Sequence, residues 1–269
     1  MIVVQISDPH IFANGQLMEG RVDTASGLSA ALALAETFDP DLIVLSGDLV
    51  NDAEPDQYAH LAELLSGITR RLLLVAGNHD DRQAVRDLAR SLDSAASPLP
   101  SVSGELEYDL RVPDRAGDPR FLVVDTVQSG SHGGHLSEER LELLDRKLAD
   151  GEPTVIVQHH PPFVSGIGFM DHYGLEGGDR ELDVISRHAN VLAVLTGHLH
   201  RHAVHVRRGV TVITSPSSAA QVALDLHGGG TAYTGEPGSL LVHGFDSGGL
   251  TTHVMPLGAG DTWRPSWAS

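Results

Sequence analysis

Six short apolar runs, residues 2–6, 42–45, 72–75, 121–124, 154–157 and 191–195, punctuate the first 195 residues. Each is β-branched-rich and apolar on both faces, which is the pattern of a strand covered on each side, and each is far too short to cross a membrane. Residues 23–38, 58–65 and 81–92 between them have helical spacing; in the last, Ala84, Val85, Leu88 and Leu92 share one side. Residues 137–148 are the best-marked helix. Ser137 caps it, Glu138 and Glu139 occupy its first turn, and Leu136 packs on Leu141 as a staple. Strands alternating with helices predict an α/β protein. Three later segments, 210–214, 239–242 and 251–255, read as strands of a second sheet together with 106–112. Neither a repeat nor a Pro/Gly/Ser linker divides the chain, so residues 1–269 are expected to form one domain. The Gly-rich stretches 166–178 and 227–238 read as surface loops, not as boundaries.

Composition narrows the function. With 41% hydrophobic and 20% charged residues the chain is not of the disordered class. It has no Cys, which excludes a disulfide scaffold, a thiolate metal site and a cysteine nucleophile. A formal charge of −18, from 36 acidic against 18 basic side chains, disfavours long nucleic acid and anionic membranes as partners. Met1 leads directly into the first apolar run without a signal-peptide pattern, so a cytoplasmic location is expected. The 16 His need a reason, because neutral imidazole adds little charge but binds metal and moves protons.

The segments at the carboxyl ends of the strands supply that reason. The first run leads into Ser7-Asp8-Pro9-His10, the second into Ser46-Gly47-Asp48, and the third into Gly77-Asn78-His79-Asp80. The fifth leads into His159-His160-Pro161-Pro162, and the sixth into Gly197-His198-Leu199-His200. Ligands bind at the carboxyl ends of strands in open α/β sheets, so five segments deliver Asp, Asn and His to one rim. Asp8 and His10, like His198 and His200, are two apart, which in an extended segment places both side chains on one face. Glycines at 47, 77 and 197 let the backbone turn and approach closely. Taken singly, an Asp or His after a strand is more often a turn or cap residue. Five such sites at the ends of five strands outweigh that reading.

Carboxylate, imidazole and carboxamide donors without thiolate suit Mn, Fe, Zn, Ni or Co. Asp8, His10, Asp48, Asn78, His159, His198 and His200 are too many for one catalytic ion. Two ions about 3.5–4 Å apart that share a carboxylate use seven naturally, and such pairs support in-line attack at phosphorus.

Asp-x-His, Gly-Asp, Gly-Asn-His-Asp, His-His-Pro-Pro and Gly-His-x-His, in this order, resemble the calcineurin-like metallophosphoesterases over residues 1 to about 216. Ile6-Ser7-Asp8-Pro9-His10, Asn78-His79-Asp80-Asp81 and His159-His160-Pro161-Pro162 are similar, more closely, to bacterial class III cyclic nucleotide phosphodiesterases and glycerophosphodiesterases. Protein Ser/Thr phosphatases carry Asp-Arg-Gly where this chain has Asp48-Leu49-Val50, and the metal-binding Tyr of purple acid phosphatases is missing, so both subtypes lose support.

The resemblance implies a four-layer α/β/β/α sandwich of two mixed sheets flanked by helices, with residues from about 217 onward as a family-variable extension. One metal, often iron, would take Asp8, His10, Asp48 and His200. The other, often manganese, would take Asp48, Asn78, His159 and His198, making Asp48 the bridge. Asp48 and His79 become the catalytic residues, with His79 stabilising the phosphoryl group and protonating the leaving alkoxide, and Asp80 orienting His79 or another supporting His. Asn78, His79 and His132 are candidate substrate contacts; His172 and Tyr173 are weaker ones, while Asp125, His160, His202 and His205 read as structural or surface residues. A metal-dependent phosphoric diester hydrolase for small phosphodiesters is the expected activity, with 3′,5′-cyclic nucleotides first and glycerophosphodiesters or monoesters as alternatives. A homodimer is a further expectation. A protein-binding scaffold without activity is the non-enzymatic alternative, and the complete donor set argues against it.

Overall fold

The computed structural model describes residues 1–92, 97–98, 104–112, 117–228, 230–247, 249–258, 260, 263–265 and 267. In chain order the elements are β1 (Ile2–Ile6), α1 (Thr24–Glu36), β2 (Leu42–Ser46), α2 (Pro55–Leu65), β3 (Leu72–Val75), α3 (Arg82–Ser91), β4 (Ser97–Pro98), β5 (Tyr108–Leu110), β6 (Arg120–Val123), β7 (Gly134–His135), α4 (Glu138–Leu148) and β8 (Thr154–Val157). They continue with α5 (Gly168–His172), β9 (Leu175–Glu176), α6 (Gly178–Ile185), β10 (Val191–Thr196), β11 (Ala203–Arg207), β12 (Val210–Thr214), β13 (Gln221–Val222), β14 (Tyr233–Thr234), β15 (Ser239–Asp246) and β16 (Gly249–Pro256).

All six apolar runs are strands, and the helices begin where their caps stand. The Asp23 and Asp81 carboxylates accept from the Ser26 and Ala84 amides at 2.9 and 2.8 Å, and Ser137 Oγ accepts from Arg140. Such caps satisfy donors that the first helical turn leaves unpaired. Leu136 and Leu141 enter one apolar cluster, as a staple requires.

The strands divide between two mixed sheets, ordered β16-β15-β1-β2-β3 and β11-β12-β10-β8-β6-β5-β4. In the second sheet the period of two is explicit. Phe121, Val123, Val155, Val157, Ala193 and Leu195 enter the core shared with Val3, Ile43 and Leu45 of the first sheet. Leu122, Ile156 and Val194 instead join Leu144 and Leu148 of α4 and Leu182 and Ile185 of α6. α1, α2 and α3 bring Leu28, Leu61, Leu65 and Val85 to the core that contains the first sheet. This is the four-layer sandwich, and its two sheets divide between them the five strands whose ends carry the candidate ligand residues.

One expectation fails. β12 and β5 lie in the second sheet as anticipated, but β15 and β16 do not: β15 runs antiparallel to β1, and β16 edges the first sheet. The choice is made by packing across the sandwich, where Leu240 and Leu241 are buried and Phe245 meets Phe121 edge-on at 6.2 Å. Local apolar pattern marks a strand but not its sheet. The Gly-rich stretches also carry regular elements not anticipated for surface loops: the first holds α5 and β9, and the second holds β14, paired with β13. Among the described residues no helix is long and apolar enough to cross a membrane.

A polar layer crosses between the sheets. Gln5 Nε2 donates to Ser46 Oγ within the first sheet and to the Thr196 carbonyl of the second, both at 2.9 Å. Ser46 Oγ donates in turn to Ser7 Oγ. With the Gln5 amide nitrogen committed twice, its oxygen faces His243 Nε2 at 3.1 Å, so that nitrogen carries the ring proton and Nδ1 accepts from Thr252 Oγ1. Burial, aided by nearby His202, pushes the His243 pKa down to about 3. The unfolded chain takes up this proton below its ordinary value of 6.5 while the folded chain resists until about 3. Stability is therefore lost as pH falls through that window. Urea titrations should show a shallower acid loss for His243→Gln than for the natural protein, by about 1 kcal/mol per pH unit; identical slopes would rule out this role.

Candidate metal centre

Asp8 and His10 follow β1, Asp48 follows β2, Asn78 and His79 follow β3, His159 follows β8, and His198 and His200 follow β10. The route by which they converge differs from the extended geometry expected of the two-apart pairs. Asp8, His10, Asp48, His198 and His200 all have positive φ, between 44° and 70°. Left-handed turns, not strand alternation, aim these side chains. Each such residue costs on the order of 1–3 kcal/mol and persists only where its surroundings impose it.

The surroundings are identifiable. Asp80 accepts from the Leu49, Val50 and Gly77 amides and from Tyr58 Oη, which locks the turn around Asp48. It does not orient His79, as the sequence suggested; the Asn51 carbonyl does, accepting from His79 Nδ1 at 2.6 Å. Burial, with the Asp48 charge adding to it, raises the Asp80 pKa to about 7, opposed by those amide donors. Ser217 Oγ donates to the Asp8 carbonyl, and the His198 amide reaches the Asp8 carboxylate at 3.1 Å. Gly77 is required for space: a Cβ there would stand 2.2 Å from Asp48 Oδ1. Gly47 has φ +100°, and its Cβ would stand 2.3 Å from His159 Nδ1.

Backbone acceptors orient the imidazoles of the cluster. His159 Nδ1 donates to the Ser46 carbonyl, which aims Nε2 at Asp48 Oδ2, 3.3 Å away, and at Asn78 Oδ1, 3.2 Å away. His200 Nδ1 donates to the Ala220 carbonyl, leaving its Nε2 lone pair 3.0 Å from His10 Nε2 and 3.6 Å from Asp8 Oδ1. His10 Nε2 is 3.6 Å from Asp48 Oδ2. His198 Nε2 donates to the Tyr173 carbonyl, so its Nδ1 holds the lone pair. Carboxylate oxygens and imidazole nitrogens that converge in a buried site can hold cations, and O and N donors without sulfur suit first-row divalent or trivalent ions. Asp8, His10, Asp48 and His200 form one buried group with ligand atoms within 4.8 Å of one another.

The charges of the cluster act strongly on one another. Burial raises the Asp8 carboxyl above its ordinary value, with the Asp48 charge adding to it and His200 and His159 opposing. Burial would also raise Asp48, but His159 beside it and the flanking His79 and His10 hold it well below the carboxylate range. His159 is pulled up to about 9 by Asp48 against its own desolvation. Burial and neighbouring imidazoles push His10 and His198 well below their ordinary value.

His160 is grouped with His159 and His198, yet both its ring nitrogens are engaged: Nδ1 with Thr126 Oγ1 at 2.8 Å and Nε2 with the His132 carbonyl at 3.1 Å. That second bond anchors the loop bearing His132, a link the sequence did not reveal. Asp125 accepts from Arg82 Nε and the Leu106 and Val127 amides, a bracing role consistent with its structural reading. His202 Nδ1 meets the Thr214 carbonyl, and His205 stacks on Phe163 at 4.7 Å.

A cavity of about 230 Å³ opens over the cluster, with His10, Asp48, Asn78, His79, His132, His198 and His200 among its lining. Phe169, Met170, Tyr173, Val222, Thr231 and Tyr233 complete its wall. His132 Nδ1 lies 3.4 Å from Asn78 Nδ2, and Tyr173, for which the sequence favours an exposed loop position, belongs to the wall. His172 does not; it lines a separate cleft with Pro162 and Phe163. Val222, Thr231 and Tyr233 come from the β13–β14 hairpin, which no local signal marked as a neighbour of the site.

The family described as calcineurin-like phosphoesterases matches residues 1–202, and the chain belongs to it. Within it, the chain is 33% identical over 84% of its length to a protein of Rhodopseudomonas palustris named "probable cyclic nucleotide phosphodiesterase", covering 81% of that protein. It is 30% identical over 96% of its length to a "probable glycerophosphodiester phosphodiesterase" of Arcobacter nitrofigilis, covering 94% of it. A dimetal phosphatase from Danio rerio has the same fold, at TM-score 0.64 and 17% identity, with 96% of this chain and 99% of that one aligned.

Gly77→Ala should drive Asp48 from its position. We expect the variant to fold, by its circular dichroism spectrum, while retaining less than about half the bound metal of the natural protein by elemental analysis. Full metal content would contradict the packing argument.

Proposed function

We propose that the chain is a dinuclear metal-dependent phosphodiesterase for small diesters, with 3′,5′-cyclic nucleotides as the preferred class. The observation that carries the reading is the buried convergence of Asp8, His10, Asp48 and His200, with ligand atoms within 4.8 Å of one another, beside His159 Nε2 at 3.3 Å from Asp48 and 3.2 Å from Asn78. One ion would be held by Asp8, His10, Asp48 and His200, and a second by Asp48, Asn78, His159 and His198. Iron and manganese, or zinc, cobalt or nickel, fit these donors. When bound, such a pair neutralises phosphate oxygens and activates water for in-line attack.

The remaining groups belong to the chain. His79 is not among the proposed ligands and lines the cavity. Its Nδ1–H is engaged by the Asn51 carbonyl, which fixes the ring and leaves Nε2 as the atom available to the cavity. A proton held at Nε2 stabilises charge on the phosphoryl group and passes to the departing alkoxide. His132, with ring centroid 5.4 Å from that of His79, is placed to contact the substrate. Asn78 is fixed between His159 and His132, so one carboxamide serves both the cluster and the substrate side. The net charge of −18 favours small diesters over long polyanions, because the positive field of such a site is local.

Hydrolysis rates on bis(p-nitrophenyl) phosphate and p-nitrophenyl phosphate test the reaction class; a strong monoester preference would overturn the diesterase reading in favour of a phosphomonoesterase. Elemental analysis after manganese or iron supplementation should find two ions per chain. Asn78→Ala should lose about one of them. His79→Ala should keep both and lower kcat roughly a hundredfold or more, and full activity of that variant would remove His79 from the reaction.

A further inference from the structure

Seven aromatic and imidazole rings form an arc around the cavity. From one end to the other, Phe169, Tyr173, His132, His79, His10, His200 and Tyr233 follow with centroid spacings of 5.4, 5.5, 5.4, 4.8, 4.9 and 6.0 Å. The imidazoles occupy the middle, beside the candidate metal cluster. The ends come from two separate arms: Phe169 and Tyr173 from α5 and its C-terminus, and Tyr233 from the β13–β14 hairpin. These arms meet, since a Cβ at Gly166 would lie 3.1 Å from Leu226.

The terminal rings have no core to build. Phe169 is 42% exposed and Tyr233 is 49% exposed. The chain has only six Phe, four Tyr and two Trp, yet three of these rings line this one cavity. Among the described residues no Lys or Arg lines it, and its single carboxylate, Asp48, lies in the metal cluster. A neutral heterocycle needs no counter-charge from the wall and gains from the ring faces.

We infer that Phe169, Tyr173 and Tyr233 form a base-binding clamp that sets specificity for nucleotide diesters, with the phosphate over the imidazole floor and the nucleobase between the two arms. The inference rests on the diesterase reading above and adds to it the residues that select the substrate. Thr231 and His132, in the same wall, provide polar atoms for the edge of the base.

Steady-state kinetics on metal-loaded protein test it with 3′,5′-cyclic AMP against glycerophosphoglycerol, a diester without a ring. Phe169→Ala and Tyr233→Ala should each raise KM for cyclic AMP about tenfold with little change in kcat, and should affect the ring-free diester far less. The dissociation constant of the slowly hydrolysed Rp-phosphorothioate analogue should rise in parallel, and Tyr233→Phe should recover most of the loss. Equal losses on both diesters, a fall in kcat alone, or a loss confined to glycerophosphocholine would overturn the clamp. Natural protein that cleaves bis(p-nitrophenyl) phosphate and glycerophosphoglycerol but not cyclic AMP would overturn the clamp while leaving the diesterase standing. Failure on all diesters would defeat both.

Discussion

Two carboxylates and several imidazoles converge at the buried floor of one cavity, and the rest of the molecule is arranged to make that arrangement bearable. Removing a carboxylate from water costs several kcal/mol unless it is paired. Here Asp8 and Asp48 are brought together by strands of one sheet, while His159, His198 and His200 approach from the other. The sandwich is what allows this. A single open sheet presents its strand ends in a row, whereas two stacked sheets present two rows that can close on a point.

Behind that point the structure commits polar groups to keep the two rows in register. Gln5, Ser7 and Ser46 tie the turn after β1 to the turn after β2, and Gln5 reaches across to the Thr196 carbonyl at the end of β10. Asp80 gathers three amides of the β2 and β3 turns. Energy stored in the left-handed turns is held in place by these bonds and by close backbone approach at Gly47 and Gly77. The cavity above inherits its shape from this rigid floor and its chemistry from two arms that do not belong to the sheets' core.

The convergence of these Asp, Asn and His side chains was legible in the sequence because their residue types interrupt apolar runs at their carboxyl ends, a position where sheets bind ligands. The six runs and the capped helices were legible for the same local reasons. Three things were not. Sheet membership of β15 and β16 depends on Phe245 meeting Phe121, 124 residues away, a contact no local pattern encodes. The turns that aim Asp8 and His10 are left-handed, and Asp and His tolerate that region without requiring it. Tyr233 sits in a Gly-rich stretch with no periodicity, so its place beside His200 follows only from the pairing of β13 with β14.

His10 and His200 touch across 190 residues of chain. During synthesis the first three strands, with Asp8, Asp48 and Asn78, emerge long before β10 does, and half of the donor set must wait for its other half. Contacts of such sequence separation form late and slowly. The order of birth therefore leaves the early fragment with only part of the cluster, and the full set of side chains comes together only when the second sheet has docked. A complete cluster then distinguishes a finished molecule from an unfinished one.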